Sequence, residues 1–147
     1  MTFSELQILL NLNKGNEQAV LEEHTSWTDY GYFFVDSEDG QCWLFDRNGK
    51  LDDVNKFKEM LSRYVKKDIK KIVIPKSVKS IGDGAFANCK SLQSIEIPDS
   101  VKSIGDEAFY NCTSLQRLVF KGKTIGEVRA MDHYPWGIED ESVIECS

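Results

Sequence analysis

Apolar positions recur with one fixed period through the middle of the chain. Residues 72–94 read IVIPKSVKSIGDGAFANCKSLQS, and residues 95–117 repeat this phrase as IEIPDSVKSIGDEAFYNCTSLQR without a gap. Self-similarity at a period of about 20–50 residues is typical of proteins built from stacked structural units. The pattern therefore predicts that each inner residue lies on its counterpart one repeat away, with Ile72, Ile95 and Leu118 in one such row.

Alternation inside each copy predicts a short strand. In the second copy Ile95 and Ile97 point inward and Glu96 points outward, because side chains alternate along a strand. Pro98 ends the strand, since it has no N–H to extend the ladder. Phe109 then fills the far side of the unit on a short helical or 3₁₀ turn. Strands of successive copies are expected to pair in parallel at about 4.8 Å.

Two further rows contain amides and thiols. Asn88 and Asn111 lie one repeat apart, and we expect a buried amide pair that satisfies loop backbone. The cysteines are interpreted as buried thiols that act as small hydrophobic residues in a reducing compartment, with a secreted disulfide framework as the alternative. They are Cys42, Cys89, Cys112 and Cys146.

The chain before the repeats begins with a helical pattern. Thr2 or Ser4 caps a first helix, which stops at residues 14–16. Residues 17–23 are expected to form a second short helix. Its predicted inner side consists of Ala19, Val20 and Leu21.

A β-hairpin follows these helices. Residues 27–45 are rich in β-formers on both sides of a turn at residues 36–40, where Gly40 accepts a positive φ. Both faces of the hairpin are apolar, so both are expected to be covered. Leu51 is expected to begin a short third strand.

A last helix connects this module to the repeats. Asp52 or Asp53 caps it, and it is expected to run through about Val65. Lys66 and Lys67 then suit the negative end of its dipole. Because it leads into the first repeat strand, the module fits an N-terminal cap.

The third copy of the repeat is incomplete. It keeps the strand as far as Phe120 and then diverges. Residues 126–131 predict a short helix, Trp136 and its neighbours Tyr134 and Pro135 supply apolar cover, and residues 143–144 form a last short strand. Repeat proteins need such atypical terminal units to cover the last repeat.

The full motif I-x-I-P-x-S-V-x-S-I-G-D-x-A-F-x-N-C-x-S-L resembles the BspA-like, or Treponema-type, leucine-rich repeats over residues 69 to about 122. The resemblance implies a curved parallel-β solenoid that serves as a protein-binding surface in gut and oral microbes and in phages. The expected fold class is α+β, a short leucine-rich-repeat solenoid with a parallel sheet, capped by an N-terminal helix and hairpin module and an atypical C-terminal repeat. The expected units are a capping module over residues 1–66 and repeats over residues 67–147, divided into 72–94, 95–117 and a divergent 118–147.

Charge and hydropathy exclude several functional classes. The net charge is −6 and the pI is near 5.0, and the mildly basic middle of the chain lacks the footprint that dominates phosphate binding. No nucleic-acid partner is expected. No apolar run approaches the roughly 18 residues of a membrane helix, and the N-terminus is not a signal peptide. We therefore expect a cytoplasmic protein without a membrane partner.

The sequence contains few residues in patterns that are typical of catalysis or metal binding. His24 and His133 stand alone, no C-x-x-C is present, and no nucleophile motif or telling carboxylate pair occurs. Gly122, Lys123 and Thr124 suggest a nucleotide loop, but Arg117 stands where that loop requires a glycine. The sequence predicts no catalytic residue, no cofactor and no metal, and thus no enzyme.

The predicted partner-binding residues point outward from the repeat strands, where the copies differ most. The alternative is that outward positions drift because packing does not restrain them. The patch is three strands wide unless the hairpin enlarges it. Its predicted residues are Lys71, Val73, Ser94, Glu96, Arg117, Val119 and Lys121.

Three functions fit these observations. The first is a non-catalytic protein–protein interaction module of a microbe or phage, which binds a protein partner through the repeat sheet, the N-terminal module or both. The second is a small phage-type inhibitor of a host defence or nucleic-acid-processing enzyme. The third is a structural, self-assembling component. The sequence leaves open the identity of the partner, the source and the choice between monomer and homo-oligomer.

Overall fold

The computed structural model describes residues 1–64 and 69–147, with only the backbone of residues 63 and 64. These residues form a mixed α/β fold with a mostly parallel sheet. Its strands are β1 (Ser26–Trp27), β2 (Gly31–Val35), β3 (Gln41–Asp46), β4 (Lys71–Val73), β5 (Ser80–Ile81), β6 (Ser94–Ile97), β7 (Ser103–Ile104), β8 (Arg117–Phe120) and β9 (Ile144–Cys146). Its helices are α1 (Phe3–Leu12), α2 (Glu17–His24), α3 (Lys58–Tyr64) and α4 (Ile125–Arg129), with 3₁₀ turns at Val54–Phe57 and Glu141–Val143.

The larger sheet has the order β1-β2-β3-β4-β6-β8-β9. Strands β1, β2 and β3 pair antiparallel, whereas β3, β4, β6, β8 and β9 pair in parallel. Strands β5 and β7 form a second, two-stranded parallel sheet. The main core lies between the two sheets and the turns that connect them.

The two copies of the repeat lie side by side in register, as the sequence predicted. Ile72 pairs with Ile95, and Ile95 pairs with Leu118, and all three side chains are buried. On the far side of the unit the rings of Phe86 and Phe109 stack with centroids 5.6 Å apart. The repeat period therefore fixes the pairing, because a shift of one residue would turn these apolar side chains to solvent.

The hairpin provides the strand before the first repeat. Strand β3 pairs in parallel with β4, with Cys42 opposite Ile72. A ladder of loop bonds continues through the same units: Lys70 N donates to Gly40 O, Gln93 N to Lys70 O and Gln116 N to Gln93 O. The backbone of the hairpin thus takes the place of a preceding repeat.

Leu51 does not begin a strand, contrary to the prediction. Its side chain is fully buried, and the chain beyond it meets the first repeat through an isolated bridge between Asp53 and Ser80. Lys79 N donates to Asp52 O just as Lys102 N donates to Lys79 O one repeat later. This segment therefore occupies, in the unit before the first repeat, the corner that Lys79 and Ser80 occupy in the first repeat. It contributes a single bridge there and not a strand.

Asp53 caps a 3₁₀ turn before the predicted helix begins. Its Oδ1 accepts from Asn55 N at 2.6 Å, and its Oδ2 accepts from Ser80 Oγ at 2.7 Å. The turn spans Val54–Phe57, and α3 starts only at Lys58. The predicted end of the helix near Val65 and the lysines after it lie outside the described residues.

Helices α1 and α2 cover the second face of the hairpin, which confirms that both faces are covered. Leu6, Val20 and Phe34 form the buried centre of this smaller cluster, while Phe33 on the opposite face joins the main core. Thr2 caps α1 through a capping box with Glu5. The predicted inner side of α2 is wrong for Ala19, which is exposed.

The C-terminal segment closes the last repeat. Trp136 is fully buried with its ring 5.5 Å from that of Phe120, and its carbonyl accepts from Phe109 N at 3.0 Å. Its Nε1 donates to Asp132 O at 3.0 Å. Strand β9 then pairs with β8, with Ile144 opposite Leu118. The predicted short helix is α4, with Thr124 as its cap.

The predicted amide row exists but is not buried. Asn88 is exposed and Asn111 is half-buried, although Asn111 Nδ2 donates to Asn88 Oδ1 at 2.9 Å. Both residues adopt left-handed backbone, with φ of 65° and 59°. Asparagine tolerates this conformation better than most residues, so the backbone explains its repetition.

The burial of each cysteine depends on how deep in the core it lies. Cys42 and Cys89 are fully buried, and burial raises the pKa of the Cys42 thiol. Cys112 is half-buried and its Sγ contacts Phe86 O at 3.1 Å. Cys146 is exposed, contrary to the prediction, because it lies on β9, the last strand in the order of the larger sheet.

Trp136→Ala should destabilise the protein strongly. Removing a large buried aromatic side chain costs about 3–5 kcal/mol of unfolding free energy. Urea denaturation followed by circular dichroism measures the change. Trp27→Ala is the control, because that side chain is 45% exposed, and it should change the unfolding free energy by about 0.5 kcal/mol or less. Equal losses in the two variants would contradict the closing role of Trp136.

Glu107→Gly should stabilise the protein. Glu107 has a φ of 56°, whereas Gly84 occupies the equivalent position of the first repeat with a φ of 62°. Left-handed backbone costs a residue with a side chain about 1–2 kcal/mol. Glycine avoids this strain but loses more conformational entropy on folding, which offsets part of the gain in stability. We expect a net gain of about 0.5–1 kcal/mol in urea denaturation. Glu107→Ala keeps the strain and should give no such gain.

Candidate partner-binding face

Alternate side chains of β4, β6 and β8 point away from the main core. The register places Lys71, Ser94 and Arg117 in one row and Val73, Glu96 and Val119 in the next. Lys121 follows directly after β8 and lines the same surface. The structure thus brings all seven predicted residues onto one side of the sheet, which we call the outward face.

The outward face is wider than the three strands predicted. Gln41 lies beside Lys71, Trp43 lies beside Val73, and Glu145 lies beside Val119. Sequence reasoning missed these three residues because their strands do not belong to the recognisable repeat. One signal was available, since Leu51-x-x-Val54 has the same spacing as Val78-x-x-Ile81 and marks the segment as a degenerate unit.

The predicted residues are not equally available. Val119 is only 4% exposed, so it offers a partner little area. Arg117 is held by Glu145, with Nη2 to Oε2 at 3.0 Å and Nε to Oε1 at 3.3 Å. These bonds raise the pKa of Arg117 and lower that of Glu145. The pair is exposed to solvent, where ion pairs contribute little to stability.

One part of the outward face forms a cleft of about 610 Å³. Its apolar lining comes from both the hairpin and the repeats, and its polar lining carries charges of both signs. Its half-buried apolar residues are Trp43, Val73 and Pro98, and Ile72 and Ile74, whose side chains are buried in the main core, also border it. The polar and charged residues are Gln41, Lys71, Lys76, Glu96, Asp99 and Lys121.

Helix α1 supports the cleft from the N-terminal side. The ring of Phe3, the first residue of α1, stacks on the indole of Trp43 with centroids 3.7 Å apart and planes 8° apart. Phe3 N donates to Asp36 Oδ2 at 2.7 Å, so the hairpin turn holds the start of the helix. The orientation of Trp43 therefore depends on where Asp36 places α1.

Asp36 is a buried carboxylate with three backbone donors. It is 7% exposed, and its Oδ1 accepts from Glu38 N and Asp39 N at 2.7 and 3.1 Å. The bond from Phe3 N, followed by those from the turn, holds the pKa of Asp36 below its ordinary value. The charged form is thus the one that fits the folded protein.

The site offers the chemistry of binding: an apolar floor, an aromatic side chain and exposed charges. Within residues 1–64 and 69–147, no three His, Cys, Asp or Glu side chains gather where they could hold a metal ion. Among the helices of the described segments, none combines the length and the apolar content needed to cross a membrane.

A family model matches the repeated part of the chain. Residues 62–129 match the model of the family described as BspA type leucine rich repeat region (6 copies). A search of curated proteins finds no match. A crystal structure of a leucine rich cell surface protein from Faecalibacterium prausnitzii A2-165 is 23% identical, with a TM-score of 0.37, over 84% of this chain and 30% of that protein. This chain therefore spans less than a third of that protein's length.

Asp36→Asn should destabilise the protein at neutral pH. It removes the charge that three backbone N–H groups stabilise, and hydrogen bonds to charged groups contribute about 1.5–3 kcal/mol each at most. We expect a loss of about 2 kcal/mol in urea denaturation at pH 7, with an altered Trp43 emission as α1 loosens.

The pH dependence of the unfolding free energy tests whether the loss of the Asp36 charge causes this destabilisation. Because the pKa of Asp36 is lowered on folding, its contribution is present above the unfolded value and is lost as the pH falls through the folded value. The stability gap between the natural protein and Asp36→Asn should therefore close as the pH drops below the ordinary aspartate range. Glu38→Gln removes a neighbouring exposed carboxylate and should leave stability unchanged. A gap that stays constant into acid would argue for a steric effect of the amide.

Proposed function

We propose that this chain, in which residues 62–129 are a BspA-type leucine-rich repeat region, is a non-catalytic protein–protein interaction module. The observation that carries the proposal is the outward face, which spans five parallel strands and is bounded at β3 by Phe3 of α1. The family typically has no enzymatic activity, which agrees with the absence of a catalytic motif from the sequence. The partner is a protein that contacts this face.

The differences between the two copies support this assignment. Their buried side chains are nearly identical, whereas three of their six differences lie on or beside the outward face. These are Val73 and Glu96, Lys76 and Asp99, and Ser94 and Arg117. Specific contacts with another molecule explain this variation, as does the absence of packing restraint at outward positions, and the paired variant below distinguishes the two explanations.

The finer architecture is part of the proposal. We infer a short leucine-rich-repeat solenoid over residues 67–147, with residues 1–66 as its N-terminal cap. The mostly parallel sheet is compatible with such a fold. The pairing of β3 with β4 and of β9 with β8 supports the assignment of both ends as caps, because each covers an edge that the repeat would expose.

The dimensions of the face set a condition on the partner. Five parallel strands span roughly 19 Å at a spacing of about 4.8 Å, and four residues of a strand extend about 13 Å. Their product is far below the roughly 800 Å² per partner of a standard interface. A stable partner must therefore also contact the cleft walls, α1 or the loops after the strands.

An affinity capture with a paired variant tests the proposal. The full chain is immobilised and exposed to a lysate of the organism that encodes it, and bound proteins are quantified by mass spectrometry. Glu96→Lys combined with Arg117→Glu reverses two charges of the outward face without changing the net charge. We expect the captured partner to fall by at least about tenfold.

Lys79→Glu combined with Lys90→Glu is the control, since both lysines are exposed on other surfaces of the first repeat. It should retain the partner. Thermal melting of both variants verifies that they fold. Capture that survives the paired change at residues 96 and 117 would show that the partner binds elsewhere.

A further inference from the structure

The charged side chains that line the cleft have the same sign along each strand and the loop that follows it. Lys71 lies on β4, and Lys76 lies on the loop that follows it. Glu96 lies on β6, and Asp99 lies on the loop that follows it. Because β4 and β6 are paired neighbours, a basic column stands beside an acidic column at a strand spacing of about 4.8 Å.

These columns do not neutralise each other by direct contact. In the described part of the chain, none of these four side chains forms an ion pair, although they occupy adjacent strands. Lys121, beyond the acidic column, donates its Nζ to Ser147 Oγ at 3.2 Å. Glu96 lies near enough to Arg117 to contribute to its raised pKa, but no direct ion pair occupies these four side chains, so both columns remain available to charges of a bound molecule.

An apolar pit adjoins the basic column. Trp43 on β3 is half-buried and lines the cleft, with Phe3 covering one face of its ring. Val73 lies directly beside Trp43 on β4. Lys71 and Lys76 lie at the two ends of this column, so an apolar side chain that enters the pit passes between two cations.

The spacing of these features matches an extended chain that crosses the strands. In an extended segment, alternate side chains point the same way and are about 6.6–6.8 Å apart. A side chain in the pit by Trp43 and Val73 thus places the next-but-one residue near β6, by Glu96 and Asp99. A residue adjacent to the apolar one points away from the sheet, where the long, exposed side chains of Lys71 and Lys76 reach its charge from the two sides of the segment.

We propose that the cleft binds an extended peptide segment of the partner protein in which an acidic residue adjoins an apolar residue and a basic residue follows two positions away. The proposal rests on the interaction function given above and specifies its ligand. The apolar residue enters the pit beside Trp43, the acid contacts the basic column, and the base contacts the acidic column.

A random heptapeptide library displayed on phage, selected against the full chain, tests this motif. We expect enriched peptides to share an apolar residue, an adjacent acid and a base two positions from the apolar residue. A synthetic consensus peptide should then change the tryptophan emission, measured with Trp27→Phe in the background so that only Trp43 and the fully buried Trp136 emit.

Charge reversal tests the pairing of columns with peptide. Lys71→Glu combined with Lys76→Glu should raise the Kd of the consensus peptide by at least about tenfold, and a peptide with lysine in place of its acid should recover much of the loss. The matched control, Lys79→Glu combined with Lys90→Glu, should leave the Kd within about twofold.

The remaining outcomes separate this inference from the proposed function. A library without a consensus, or a consensus peptide whose Kd is the same for both lysine variants, overturns the peptide motif. If the captured protein still depends on Glu96 and Arg117, the interaction function stands without it. A dimer in light scattering that Lys71→Glu and Lys76→Glu abolish, with no peptide consensus, would assign the cleft to a second copy instead. If the consensus peptide binds, but the Glu96→Lys and Arg117→Glu variant captures every protein that the natural chain captures, only the proposed function is contradicted.

Discussion

The in-register stacking of parallel units is the constraint on which the rest of the structure depends. Each unit buries its apolar strand residues and its far-side phenylalanine against the next unit, as Phe86 does against Phe109. Such an arrangement has two ends, and each end exposes an apolar layer and an unpaired strand edge. With so few units, the ends are a large part of the molecule, and segments outside the repeat must cover them.

The two ends are covered by different means. At the C-terminal end Trp136 covers Phe120, and β9 pairs with β8, but β9 then leaves Cys146 exposed at the edge. At the N-terminal end β3 pairs with β4 on one side and with β2 on the other. Because β3 is shared, the hairpin does not end the sheet abruptly but carries it into a second cluster beneath α1 and α2.

The sequence predicted what the repeat itself determines. Register, inward rows and the outward rows of the three repeat strands all follow from the match of residues 72–94 with 95–117, because equal spacing fixes equal positions. The pairing of β3 with β4 could not be predicted in this way, since local alternation does not name a distant partner. Leu51 was misassigned and Trp43 was missed for that reason.

Other predictions were wrong because the same residue type can have more than one structural role. Asn88 and Asn111 were expected inside the protein because amides often satisfy buried backbone, but their left-handed φ explains them without burial. Val119 was correctly expected to point outward, yet it is covered. Alternation gives the direction of a side chain, whereas its exposure also depends on neighbours from other segments, such as Glu145 on β9, which pairs with Val119.

The same division explains why the cleft lies where it does. The repeat supplies charges of opposite sign at one position, because Lys76 and Asp99 occupy equivalent places in adjacent units. It cannot supply the aromatic side of the pit, because Trp43 belongs to the hairpin and is positioned by Phe3. Phe3 in turn depends on Asp36, so the bond that anchors α1 also shapes the cleft. Binding at the cleft and docking of α1 are therefore coupled, and a ligand that needs Trp43 in place must stabilise the N-terminal cap by the same free energy that the cap contributes to binding.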